Sequence, residues 1–172
     1  MISPEQRGVV IGMLLGASVP ALPIAAGAWL IPGPAAPPLG DRLVWLMPYA
    51  AVLALPMALA IAAIARHRFF HAAVIDGSND AADRWLAIAR AILQNTLEQT
   101  VLAALVLLAL AATLPSGWLG ALPAAILWFV LARAIFALTY ARGAAARSFG
   151  FAATFYPTLA GLLMAIALLA LR

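Results

Sequence analysis

Arg84-Trp-Leu-Ala-Ile-Ala-Arg90-Ala-Ile-Leu-Gln-Asn95-Thr-Leu-Glu98-Gln-Thr100 opens a stretch that continues through Ala, Leu and Val to Leu114. From Thr100 onward it is too apolar and too long to be the core stripe of a soluble helix. Yet Asn95 and Glu98 fall inside the same helical pattern, and at that spacing they share one face. Glu98 is the one carboxylate in any apolar segment of the chain. A charge at membrane depth costs at least ~2.5 kcal/mol even on lenient insertion scales, so it calls for a partner and a function.

The rest of the chain has the same character. Its 172 residues are 66% hydrophobic and 9% charged, against ~25% charged in ordinary soluble domains. Windows at Gly8–Ile31, Leu43–Ala65, Trp85–Leu114, Trp118–Tyr140 and Ser148–Leu171 each reach the length of about 20 apolar residues that a bilayer crossing needs. The expectation is an all-α, polytopic membrane domain of five spans set in a lipid bilayer. Little chain remains between the spans for a soluble domain.

Several function classes are excluded. Without cysteine there is no disulfide, no thiolate catalysis by the protein and no cysteine metal site. His67 and His71 stand beside Arg66 and Arg68 with no carboxylate nearby in sequence, so no metal site is expected. The formal charge of +4 comes from arginines alone. Scattered at helix ends, they read as topology and anion signals and not as a nucleic-acid footprint.

Pro20 and Pro23 interrupt the first window. Ala26-Gly-Ala28 has the small residues of a signal cleavage site, but the apolar run exceeds the usual ~7–15 residues and the head carries Glu5 beside Arg7, so a retained helix is expected. Gly12-xxx-Gly16 is a candidate close-packing face. Pro32 to Gly40 reads as a stiff extended connector, with Asp41-Arg42 in water beyond it. Pro48 and Pro56 predict a kink in the second span. Ile75 to Asp80 is a polar turn, Asp83 an N-cap or first-turn acid for the third span, and Pro115-Ser-Gly117 a tight hairpin between spans three and four. No internal repeat is present.

Arg66, Arg68, Arg84, Arg142, Arg147 and Arg7 collect on one side. By the positive-inside rule that side is cytoplasmic, which leaves the C-terminus outside. A bacterial inner membrane is the expected location.

Span four carries Arg133. Measured from the hairpin at residue 116, Glu98 is 18 residues away and Arg133 is 17, each ~25 Å along its helix. The two are expected to pair, either as a structural ion pair or as part of a site. Arg133, Tyr140 and Arg147 follow at intervals of seven, and Arg90 and Asn95 reach the same end. Guanidinium, amide and phenol groups gathered there suit a small anionic molecule, since the planar arginine fork binds carboxylates bidentately.

Asn95-Thr-Leu-Glu98, following an arginine-bearing helix start, resembles the second core helix of the MAPEG family, the membrane-associated proteins of eicosanoid and glutathione metabolism. Arg133-x-x-Phe136-x-x-x-Tyr140-Ala-Arg142-x-x-x-x-Arg147 resembles that family's third-helix exit and fourth-helix start. The resemblance covers 43–172 as a four-helix domain, with 1–42 as an extra N-terminal helix and connector. It implies a homotrimer with glutathione as cosubstrate between subunits. Arg147 then holds the position of the arginine that stabilises the thiolate. Asn95, Glu98 and Tyr140 match further glutathione contacts, with Arg133, Arg90, Arg66 and Arg68 as additional candidates. The implied activity is a glutathione transferase or peroxidase acting on a small hydrophobic substrate. Ala91, Gln99 and Phe136 depart from the family's donors. They favour an alternative, a non-catalytic scaffold that binds a lipid or amphiphile; a small transporter subunit is the third reading.

Overall fold

The computed structural model describes residues 2–77 and 82–171. Among them, five helical stretches are long and apolar enough to cross a membrane. The first comprises α1 (Pro4–Ser18) and α2 (Ala21–Leu30), and the second α3 (Leu39–Leu53) and α4 (Leu55–Phe70). The other three are built on α5 (Arg84–Thr113), α6 (Ala121–Thr139) and α7 (Ala144–Ala170).

Local chemistry sets the ends. Ser3 Oγ accepts from Gln6 N at 3.1 Å while Ser3 N donates to Gln6 Oε1 at 2.8 Å, a reciprocal cap that starts α1 with Pro4 just inside it. The α1–α2 break falls at Pro20, which has no N–H to continue the helix. Ala54 separates α3 from α4, and Pro56 sits in the first turn of α4, where a missing N–H costs nothing. The chain thus breaks between helices at Pro20 and just before Pro56, whereas Pro23 stays inside α2 and Pro48 inside α3. Asp83 caps α5: its Oδ1 accepts from Trp85 N at 2.8 Å and Leu86 N at 3.0 Å. Gly143, at φ 104°, makes the turn that starts α7; a side chain there would be strained. The polar turn expected over 75–80 is described as far as Gly77, and its remainder and Arg172 lie outside the described residues.

Three spans begin several residues earlier than their apolar windows. The first starts at Pro4, the second at Leu39 and the fifth at Ala144, because Glu5 and Arg7, Asp41 and Arg42, and Arg147 stand in the opening turns. Asp41 and Arg42 are thus helical. Arg42 is half-buried: Nη1 donates to Leu114 O at 2.7 Å and Ala111 O at 3.3 Å, Nε to Pro37 O at 3.2 Å, and Nη2 to Ser116 Oγ at 3.3 Å. It closes the C-terminal end of α5, whose last carbonyls have no partner inside the helix.

The first 30 residues are stitched to the core by close approaches. Along the α1–α7 contact, a Cβ on Gly8 would lie 2.7 Å from Ala145 Cβ, one on Gly12 would strike Ser148 Oγ, and one on Gly16 would lie 2.5 Å from Ala152 Cβ. The small-residue face read at Gly12 and Gly16 therefore packs on α7 of the same chain. Past Pro20 the chain crosses to α6, where a Cβ on Gly27 would meet Ala124 and Gly120 O. A core of Leu46, Leu53, Leu110, Leu119, Ile126 and Phe129 fills that end of the bundle.

Between the two anchored ends the N-terminal segment stands off. Beneath it is a cavity of about 540 Å³ lined by residues that include Ile24, Val106, Leu110, Phe129, Pro157 and Met164. A sealed void of that size would cost on the order of 10 kcal/mol at ~24 cal/mol per Å³. That matches the whole stability of a typical domain.

Candidate functional site

At the opposite end from that cavity, four elements converge. Asn95 comes from α5, Phe136 from α6, Tyr140 from the 3₁₀ turn Tyr140–Arg142, and Arg147 from the first turns of α7. They line one cavity of about 380 Å³ with Val9 and Met13 of α1 and Ser148 and Phe151 of α7. Its volume lies in the ~300–1,000 Å³ range of ligand pockets. The spacing of seven between Tyr140 and Arg147 spans the Gly143 turn, so the two side chains meet from different elements: Arg147 Cζ lies 4.4 Å from the Tyr140 ring centroid. Both are half-buried. Asn95 Oδ1 is buried with no hydrogen-bond partner in the described structure. Its amide acceptor is therefore available to a bound N–H or O–H.

Arg133 lies deeper and apart from this cavity. It is 1% exposed. Nη2 donates to Thr96 Oγ1 at 2.9 Å, and Cζ sits 4.0 Å from the Phe136 ring centroid. Nε and Nη1 are buried without a hydrogen-bond partner.

The expected Glu98–Arg133 pair does not form. Glu98 is exposed on the outer surface of α5, where its Oε1 accepts from Gln94 Nε2 at 2.9 Å. The depth match was sound, since Arg133 reaches Thr96, two residues from Glu98. The face was not. The buried stripe of α5 runs Thr96, Gln99, Thr100, Ala103, Val106, Leu107, Leu110, and Glu98 lies off it. The sequence reading did not put Thr96, Gln99 and Thr100 on the buried face; their i, i+3, i+4 spacing ahead of Ala103 was the available signal. Gln99 Oε1 and Thr100 Oγ1 are also buried without a partner in the described structure.

Arg90 and Arg66 are exposed and Arg68 half-buried, and none of them lines the Asn95–Arg147 cavity. His67 gains a carboxylate the linear sequence did not offer. Its Nε2 lies 2.8 Å from Asp83 Oδ2, and its ring stacks between His71 and Trp85 with centroids 3.9 and 4.3 Å away. The Asp83 carboxyl is held below its ordinary value, first by the hydrogen bond from His67, then by the backbone N–H of Leu86. No cluster of three or more metal-ligating side chains occurs among the described residues.

The architecture is that of an integral membrane protein of apolar helices, with a cation, a phenol and an amide facing one cavity at one end. The chain belongs to the MAPEG family, whose model matches residues 46–167. That match takes in Asn95, Arg133, Tyr140 and Arg147 and leaves out α1 and α2. No match was found among curated proteins or among solved structures.

Proposed function

We propose that the Asn95–Tyr140–Arg147 cavity binds glutathione and activates its thiol for attack on a lipophilic electrophile or hydroperoxide. The observation that carries this reading is the convergence of those three side chains on one cavity. The residues suit the molecule. A guanidinium beside a thiol favours the thiolate, which is the nucleophile. The Tyr140 hydroxyl can donate to the same anion, and the unpartnered Asn95 Oδ1 can accept from a peptide N–H. The thiol belongs to the cosubstrate, so a chain without cysteine can perform this chemistry. The electrophile arrives through the bilayer. In conjugation the sulfur forms a new S–C bond as the leaving group departs. In peroxide reduction it attacks the terminal oxygen, the O–O bond breaks, the alkoxide leaves and takes a proton to become the alcohol, and a second glutathione thiol displaces water from the resulting sulfenic acid to give the disulfide.

Glu98 supports an assembly of subunits. A carboxylate exposed on the protomer at this position of a spanning helix needs company. A neighbouring copy is the natural source, and the family resemblance supports reading that assembly as a homotrimer. Arg90 on the same helix would then help hold glutathione carboxylates at the subunit boundary. The arginine distribution supports reading this end as cytoplasmic, with the N-terminus inside, in a bacterial inner membrane.

A second reading is a scaffold that holds an amphiphile without chemistry. It is favoured by Phe136, which has no hydroxyl to offer and whose ring is engaged by Arg133. Thiolate absorbance separates the two. Purified protein with millimolar glutathione is expected to raise it, and Arg147→Ala to abolish the rise. No rise in the wild type overturns the enzymatic reading and leaves the scaffold.

A further inference from the structure

The second cavity lies at the far end of the bundle and owes nothing to the glutathione reading. We propose that it is a binding site for one acyl chain of a bilayer phospholipid, held between the N-terminal segment and the core.

Its walls offer hydrocarbon and almost nothing else. Ile24, Val106, Leu110, Phe129 and Met164 are apolar. Three of the polar residues that line it have turned their polar atoms to backbone carbonyls. Thr158 Oγ1 donates to Thr154 O at 2.7 Å, Thr154 Oγ1 to Phe151 O at 2.9 Å, and Trp128 Nε1 to Ala153 O at 2.9 Å. Tyr156 and Trp118 add the few polar atoms left in a lining that is otherwise hydrocarbon, and cavities lined so largely by apolar groups favour hydrocarbon over water.

The geometry admits an elongated guest. Lining positions run from Ala103 on α5 to Leu114, the residue that caps it, about 16 Å along the axis. The segment overhead is held at both ends by backbone-close contacts, Gly16 on Ala152 and Gly27 on Ala124. Between them α1 follows α7 while α2 crosses to α6. The cavity is the fork so formed, and Met164, half exposed at its edge, opens it toward the membrane. All its lining lies on or between spanning helices, so the fluid outside its mouth is lipid tail. A chain that enters leaves its headgroup outside, which is why no charged side chain lines the fork. The family match begins at residue 46, so the roof of this site is particular to chains carrying the additional helix.

The test uses the full chain in nanodiscs containing phosphatidylethanolamine with a photoreactive diazirine on one acyl chain. Adducts are expected on inward residues, Ala21 and Ala25 of α2, Val106 and Leu110 of α5 and Gly161 of α7, and hexadecane should compete them away. A paired Ala25→Phe and Ala125→Phe variant fills the fork and is expected to cut those adducts at least tenfold while labelling of outward Leu22 and Trp29 persists. Three results would overturn the proposal: labelling of Leu22 and Trp29 alone, inward adducts that the filled variant keeps, or inward adducts indifferent to hexadecane. A fork occupied by a neighbouring chain gives the first of these. If the paired variant does not fold, the hexadecane competition on the wild type decides.

Discussion

Arg133 and Thr96 form a closed pair in the centre of the bundle, 2.9 Å apart, with 1% and 2% of their surfaces exposed. A neutral hydroxyl is thus the sole hydrogen-bond acceptor that the described residues supply to a buried guanidinium. Removing that hydroxyl leaves the charge with none. Thr96→Val is expected to cost ~1–3 kcal/mol, the penalty for orphaning a buried polar group. Arg133→Met removes the charge and keeps the stem's volume, and buried charges replaced in this way are often neutral or stabilising. Thermal unfolding in one detergent should therefore rank Thr96→Val below both wild type and Arg133→Met. The opposite ranking would mean that the guanidinium stabilises the fold.

Tyr140 supports two separable interactions. Its ring lies against Arg147, and its hydroxyl is free to face a ligand. Tyr140→Phe keeps the first and loses the second. The melting temperature is expected to stay within a degree or two while glutathione affinity falls about tenfold, the worth of one hydrogen bond to an anion. Calorimetric titration of wild type and variant measures both arms.

Much of this was legible in the chain. The spans, the proline breaks, the Asp83 cap and the end at which Asn95, Tyr140 and Arg147 gather all follow from patterns a few residues long. Depth was legible as well, because a tight hairpin sets two helices in register and Arg133 lands beside Thr96. Rotation about the helix axis was not. Asn95 and Glu98 share a side, but that side borders the buried stripe and does not coincide with it, and in a chain this rich in Ala and Leu the apolar pattern barely marks which face turns inward. Arg42 was misread for a related reason. A charge at a span's start usually meets water, whereas here the chain ends of α5 and the Pro37 carbonyl supply acceptors that no local pattern announces.

Arg42 yields a prediction of its own. Its donors reach three backbone carbonyls and Ser116 Oγ, so Arg42→Ala strips the end of α5 of its cap. Hydrogen bonds from charged groups contribute ~1.5–3 kcal/mol when well formed, and a loss in that range is expected. Arg42→Lys, lacking the fork, should recover less than half of it. Unfolding of the three proteins side by side checks the order.

Asp83 predicts a pH dependence whose sign is fixed. Its carboxyl is depressed in the folded protein, chiefly by His67. A depressed acid stabilises the fold above its unfolded pKa, and the contribution fades as pH falls through the lower folded value. Wild type should therefore outlast Asp83→Asn at neutral pH. The gap should narrow as the pH drops below the usual carboxylate range, and melting curves from neutral to acid pH follow it. A gap that widens in acid would contradict the hydrogen-bonded carboxylate.

Gly12 sets a steric limit. Any side chain there collides with Ser148 Oγ and lies 3.0 Å from Phe149 N. Gly12→Leu should lever α1 from α7 and strip Val9 and Met13 from the cavity wall. Protease cleavage within the first 20 residues should quicken relative to wild type, while Gly40→Leu, where a Cβ meets nothing within 4 Å, should cleave at the wild-type rate.

The paired glycine anchors also restrict chain length. One residue inserted after Ala25 would rotate Gly27 by ~100° about the axis of α2, turning a bulkier neighbour toward Gly120 and Ala124. The N-terminal segment behaves as an arch sprung between two fixed abutments: its crown can change in composition, but its count of residues cannot drift. Over evolutionary time, substitutions should accumulate along the arch while insertions and deletions are confined to the proline-rich stretch beyond it.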